Sequence, residues 1–322
     1  MSSEPLRELP PPVPGVPPAL DERDAGGGRG PLERVWRALT HNRLSLTGGA
    51  ILVTLILIAL FAPLIAPYPP DRRGIWPRAA RPRTPPCIHL LGCPADRPQL
   101  LFGSDGNGRD LFSRVIFGSR LSLQIGILTV GGAIVIGGLL GALAGYAGGW
   151  LDNVIMRLMD VVLAFPSLLL AIAIVTVLGP SLTNALIAIG IVSIPVYARV
   201  MRSSVLAIKE FDYVTAARAI GAQHTHILFR SILPNAMAPL LVTGTLGIAG
   251  AILDAAALSF LGLGATRPTP EWGLMLGDER SSVINAPYLL FFPGIAIMIT
   301  VLSFNLLGDG LRDALDPRLR NQ

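Results

Sequence analysis

Lysine, cysteine, histidine and charge are all scarce in this sequence, and each scarcity closes off a class of function. Lys209 is the only lysine among 26 basic residues. It follows no glycine-rich turn and no G-x-x-x-x-G-K-[ST] string occurs, so the chain carries no P-loop with which to hold a nucleotide. The two cysteines, Cys87 and Cys93, fall in one polar segment, which excludes a disulfide-built secreted scaffold and leaves room for one local bridge. The four histidines, His41, His89, His224 and His226, lie outside the long apolar runs, so an enzyme working inside a membrane would lack an imidazole base. Charged residues make up 15% of the chain against 51% hydrophobic, and the mean hydropathy is +0.57. Such a composition is outside the range of soluble globular domains.

What the sequence does have is long uncharged runs. Leu44 to Pro70 is free of charge and its centre is long enough for a first membrane-spanning helix. Leu121 to Leu151 is uncharged and glycine-rich, the composition that lets membrane helices approach closely, and gives a second. Val161 to Ala198 has no charge at all and is too long for one crossing, so a turn at Gly179-Pro180-Ser181 divides it into a third and a fourth. Ala236 to Gly264, interrupted only by Asp254, and Tyr288 to Leu307 complete a set of six. The fold class is therefore an all-α membrane protein with six transmembrane helices.

An even count puts both termini on one side. With the N-terminus inside, fifteen Lys/Arg fall inside and eleven outside, a weak positive-inside bias. The net charge of +5 is spread over arginines flanking apolar runs, a pattern of membrane orientation rather than of nucleic-acid binding. The first 30 residues hold a proline cluster (Pro10, Pro11, Pro12) and Gly26 to Gly28 but no apolar core. They read as a disordered tail and not as a cleavable signal. Between Leu32 and Asn42, Trp36 and Leu39 share one helical face, the pattern of a short helix lying on the membrane surface.

The informative polar segment runs from Arg199 to Asn235. Ala216, Ala217 and Ala219 are strong helix formers with almost no side chain, Gly221 can close a helix, and Pro234 suits the start of the next. The expectation is helix, turn, helix outside the membrane.

This run resembles the EAA loop of the permease subunits of bacterial ATP-binding-cassette importers. That pattern is Glu-Ala-Ala, three residues, Gly, nine residues, Ile, one residue, Leu-Pro. Thr215-Ala216-Ala217, Gly221 and Leu233-Pro234 stand at the matching spacing, with Thr215 in place of glutamate and Ser231 in place of isoleucine. Both departures look like those of the peptide-importer branch. WRALTHNRLSLTGGAILVTLILIALFAPLIAPY, FGSDGNGRDLFSRVIFGSRLSL, AALSFLGLG (Ala256 to Gly264) and NLLGDGLRDALDPRLR (Asn305 to Arg320) are similar to the C-type subunits of dipeptide and oligopeptide (peptide/nickel) importers. Ala255 departs from a glutamate common there, with Asp254 one position earlier.

The resemblance implies a type I importer permease fold in the bacterial inner membrane, with both termini cytoplasmic. It divides the chain into a disordered cytoplasmic tail (1–30), a surface helix and first span (31–66), an extracytoplasmic segment (67–120) and a permease core (121–316) with a cytoplasmic coupling loop (199–235). It implies no catalysis and no cofactor in this chain, ATP being bound by partner ATPase subunits that the coupling loop contacts through Thr215, Ala216, Ala217, Gly221, Leu233 and Pro234. Glu210, Asp212 and Arg218 would steer the charged partner surface. A second homologous permease and an extracytoplasmic peptide-binding protein would complete the importer, the latter docking around 67–120 and 265–287. Nickel complexes and glutathione are alternative substrates within that family.

Three other features have two readings each. Gly103 to Arg109 (GSDGNGR) is a phosphate cradle or a turn leading into the second span. Cys87, His89 and Cys93 are an incomplete metal set or a loop with a disulfide. Asp254, the one carboxylate within a span, lines a translocation path or is a structural group near the outer end of its helix. A secondary transporter using Asp254 as its ion site would require discontinuous helices around it.

Overall fold

The computed structural model describes residues 43–72, 82–94, 96–97 and 99–315. The expected tail (1–30) and surface helix (32–42) lie outside the described residues. Five helices among those described are long and apolar enough to cross a membrane, and a bent pair brings the number to six if it counts as one span.

Helix α1 (Arg43–Leu60) is followed by the single turn α2 (Ala62–Ile65), which starts at Pro63's neighbour, so the expected first span breaks at Phe61. The side chain of Arg120 donates to the carbonyls of Ala59 and Leu60 and so satisfies the end of α1. Much of α1 is exposed, including Leu46, Val53, Ile56 and Leu57, as suits a helix bathed in hydrocarbon.

Helix α3 (Leu111–Ala147) begins ten residues before the uncharged run. Hydropathy does not set that start. The Asp110 carboxylate does, by accepting the Ser113 amide at 2.8 Å as an N-cap. Burial pushes the Asp110 carboxyl up, opposed by its bonds from Ser113.

Positive φ at both Gly148 and Gly149 turns the chain sharply into α4 (Gly149–Leu163), which meets α5 (Ser167–Leu178) at 89°. Here the expected third span needs correction. At ~1.5 Å per residue the 12-residue α5 reaches only about 18 Å, so the third apolar element is a broken one. Pro166 breaks it, because proline cannot donate an amide and holds the preceding Phe165 out of the helical region. The expected turn at Gly179 is present: Gly179 has φ +93, and the Ser181 side chain caps α6 (Leu182–Ile208) by accepting the Asn184 amide.

Glycines on α3 define its contact with α6. A Cβ on Gly137 would lie 2.5 Å from the Ile194 carbonyl oxygen and one on Gly145 2.9 Å from that of Arg202, while one on Gly141 would overlap that of Ala198. Both series step by four residues and ascend together, so α3 and α6 run in the same direction with their backbones touching. The bent pair α4–α5 is the return between them.

After α6 come α7 (Asp212–Ala219) and a long helix that enters at His224 and runs as α8 (Leu233–Phe260). Its second helix thus starts ten residues before the expected Pro234. Between them Ile227–Ile232 widens into a π-turn, which accommodates Pro234 by removing the need for its missing amide. The short α9 (Trp272–Asp278) packs on the end of α8, Gly273 against Ala256 and Gly277 against Phe260. Trp272 is buried and its indole donates to the Val115 carbonyl at 2.9 Å. Helix α10 (Tyr288–Leu315) closes the bundle against α1, with Gly48 against Leu306 and Gly310 against Ser45.

The polar segment before α3 folds on itself. Asp105 accepts the amides of Asn107 and Arg109 at 2.9 Å each and pairs with the Arg109 guanidinium at 2.6 Å. The Gly106 amide donates to Glu279 at 2.7 Å, and Arg83 pairs with Glu279 at 3.2 Å. The glycine loop's amides are therefore spent on the protein's own groups, those of Gly106, Asn107 and Arg109 on carboxylates and those of Gly103, Ser104 and Gly108 on backbone carbonyls. This supports the turn over the phosphate cradle. Cys87 and Cys93 are joined by a disulfide and His89 Nε2 bonds the Arg97 carbonyl at 2.8 Å, so the metal reading falls.

Candidate functional site

Two regions collect the candidate residues. The first is α7 and the turn after it. Helix α7 ends in a left-handed closure: Gly221 has φ +77, its amide donates to Arg218 at 3.0 Å and the Ala222 amide to Ala217 at 3.1 Å. This is the paired bonding of a Schellman motif, which glycine satisfies without a Cβ penalty.

One face of α7 anchors it. Val214 is fully buried and Ala217 packs half-buried on the core. The Tyr213 hydroxyl donates to the Ser231 carbonyl at 3.2 Å, and Asn235 Nδ2 reaches both groups at 3.3 and 2.8 Å. At the membrane end, Lys209 Nζ donates to the Gly145 carbonyl at 3.3 Å and the Tyr146 hydroxyl bonds His224 Nδ1 at 2.8 Å, tying both arms of the loop to α3.

The other face is open. Thr215, Ala216 and Arg218 are exposed, as are Glu210 and Asp212 before them. Ala217 points inward and Leu233 is half-buried in the second helix, while Pro234 is exposed there. The structure so brings Thr215, Ala216, Arg218 and Gly221 onto one open surface and leaves Ala217 and Leu233 as supports. Sequence spacing missed the large apolar side chains exposed in this loop: Phe211 and Ile220 (84% exposed) at the two ends of α7, and Phe229 (61%) in the segment that leads into α8. Large apolar side chains in a polar loop were the available signal.

The second region is a cavity of about 530 Å³ between α5, α6 and α8. Asp254 lines it, on a stripe with Thr243, Gly247 and Gly250 at the spacing of one helical face. Tyr197 and Ser193 face them from α6, and Phe165 stands at the α4–α5 break. Helix α8 is continuous around Asp254, which removes the broken-helix ion site that a secondary transporter would need.

Between the two regions α4 is clamped to α6. Arg202 grips Asp152 with two bonds of 2.5 and 2.6 Å, and Arg199 pairs with Asp160 at 2.6 Å. A double-mutant cycle of Asp152→Asn and Arg202→Gln on thermal unfolding should return a coupling of roughly 1 kcal/mol for this partly exposed pair. No coupling would mean that α4 is held by packing alone.

The geometry agrees with known proteins. Residues 137–321 match the family described as binding-protein-dependent transport system inner membrane component, and residues 30–86 match the N-terminal TM domain of oligopeptide transport permease C. The chain is 46% identical to the dipeptide transport system permease protein DppC of Alkalihalophilus pseudofirmus, over 100% of both chains. It is 48% identical to a di/tripeptide permease of Pseudomonas aeruginosa over 90% of this chain and 93% of that one. A glutathione transport system permease protein of Pectobacterium atrosepticum is 43% identical over 91% and 93%. Among solved structures, the inward-facing MetNI methionine ABC transporter superposes with a TM-score of 0.54 at 18% identity, covering 64% of this chain and 98% of that one. That likeness speaks for the fold. With its six apolar elements, its open α7 face and these matches over the whole length, the chain belongs to the family of inner-membrane components of binding-protein-dependent transport systems.

Proposed function

We propose that this chain is the C-type permease subunit of an ATP-driven importer of di- or oligopeptides, providing half of the translocation path and hydrolysing nothing itself. The observation that carries the reading is the open face of α7, where Thr215, Ala216 and Arg218 are exposed between the exposed apolar side chains of Phe211 before the helix and Ile220 after it. Such a patch calls for a protein partner. An ATPase subunit is the partner, and its closure on ATP pulls α7 and, through Lys209 and the α4–α6 clamp, the walls of the cavity.

The α5–α6–α8 cavity is this subunit's half of the path, and a second homologous permease supplies the rest. The disulfide between Cys87 and Cys93 supports placing residues 82–110 on the oxidising side of the membrane. Both termini and α7 then face the cytoplasm, and a peptide-binding protein docks over the segments 67–120 and 265–287. Neither a cofactor nor a metal enters this mechanism in the permease itself.

Reconstitution with the second permease, the ATPase subunits and the binding protein tests this. ATP-dependent uptake of a labelled dipeptide into liposomes is the expected result. A second reading, glutathione as cargo, has the support of the relatives that carry that name. It would replace the first if glutathione entered and dipeptides did not.

A further inference from the structure

The cavity has one feature that half of a passive conduit does not require. Among the described residues its single charged lining residue is Asp254, and no cationic side chain lines it. Asp254 has no hydrogen bond or ion pair with any described residue. Holding a carboxylate unpaired within a membrane helix is costly, and the cost is recovered when a cation arrives.

The surroundings select the shape of that cation's carrier. Gly247 and Gly250 present no side chain along the α8 stripe below Asp254, and around Gly250 an added Cβ would meet nothing within 4 Å. The Tyr197 hydroxyl lies against Gly247, where a Cβ would overlap it. Gly247 is seven residues from Asp254, about 10 Å along the helix, and an extended peptide advances about 3.5 Å per residue. A peptide held by its amino group at Asp254 would therefore run along the bare glycine strip, a tripeptide reaching the Tyr197 hydroxyl and a dipeptide, at about 7 Å, ending one residue short of it. Ser193 and Thr243, also on the lining, add hydroxyls along the same course.

We propose that Asp254 is a recognition subsite for the α-ammonium group of the translocated peptide, with Tyr197 meeting the chain two helical turns further along. The inference rests on the peptide-importer reading and deepens it. It assigns the permease a share in substrate selection: a cargo without a cationic group gains nothing from Asp254 and leaves the carboxylate unpaired.

The test uses the complete transporter in liposomes with its loaded binding protein, and counts dipeptides imported per ATP hydrolysed. Asp254→Asn should lower that ratio by about tenfold, the loss of one charge-assisted bond in a water-poor site. ATPase stimulation by the loaded binding protein and the unfolding temperature should stay at the wild-type level, and Asp254→Glu should restore import. Wild-type import by Asp254→Asn would overturn the subsite alone. A fall in import accompanied by a lower unfolding temperature, without rescue by glutamate, would make Asp254 a structural carboxylate and also overturn it. Failure of the wild-type transporter to import any dipeptide while it still hydrolyses ATP would overturn the peptide reading, and the subsite with it.

Discussion

Replacing Gly221 by proline should abolish ATP-dependent uptake while the protein still inserts in the membrane at normal levels. Gly221 closes α7 at φ +77 and donates its amide to Arg218. Proline is fixed near φ −65° and has no amide, so both the turn and the bond are lost. The penalty is about 3 kcal/mol or more, which at tenfold per ~1.4 kcal/mol lowers the population of the closed turn by about a hundredfold. Gly221 itself is exposed and a Cβ there would meet nothing within 4 Å, so the loss is confined to the end of α7 and the unfolding of the spans should change little. A separate variant, Ala216→Arg, isolates docking from loop geometry. Ala216 is exposed on the open face and arginine is a good helix former, so the helix should persist while its contact surface is blocked. Both variants should lose copurification of the ATPase subunits. Full uptake by both would remove α7 from the coupling mechanism.

Much of this loop was legible because its signals are local. Gly221 as a helix closure and Gly179-Pro180-Ser181 as a turn follow from residue types within a few positions, and both stand in the structure, where the Ser181 side chain also caps α6. The six apolar elements were legible for the same reason, since length and absence of charge are read directly. The break at Pro166 was not, because a proline inside Val161 to Ala198 leaves an apolar run apolar and the run's length invited one turn rather than two. Nor did hydropathy reveal that α3 extends back to Leu111, where Arg114 and Arg120 are accommodated by carbonyls of Pro70, Pro268 and Leu60. Those partners are distant in sequence. The cavity shows the same division: Asp254 stood out as a lone carboxylate, but Tyr197 looked like any aromatic of an apolar helix until α8 was placed beside it. Arg199 and Arg202 read as loop charges, and their partners Asp160 and Asp152 lie 39 and 50 residues away.

That long-range packing predicts the other large effect. Gly141→Leu should prevent stable folding, with little protein recovered from the membrane and a steep loss of thermal stability in what remains. The reason is that α3 and α6 meet backbone to backbone along Gly137, Gly141 and Gly145, and at Gly141 even a methyl group would overlap the Ala198 carbonyl. Ordinary overpacking costs about 1–3 kcal/mol because side chains shift to make room. Here the obstacle is main chain within a helix on both sides, so the helices themselves must separate, and the contacts of Met201 and Val205 in the same core are lost with them. Gly131 and Gly132 provide the control on the same helix. A Cβ at either would meet nothing within 4 Å, so Gly131→Ala and Gly132→Ala should be neutral or stabilising by up to about 1 kcal/mol, the helix propensity difference. Thermal unfolding in detergent of all three variants separates the cases. Equal loss in all three would mean that glycine serves α3 through backbone freedom, whereas loss at Gly141 alone ties the parallel seam of α3 and α6 to the close approach itself. That seam also sets the cavity. It fixes α6 against α3, so that the α6 face carrying Ser193 and Tyr197 is held toward the stripe of α8 that bears Asp254. A variant that opened the seam without unfolding the chain should for that reason lose uptake before it loses its helices, which circular dichroism and transport measured on the same sample would show.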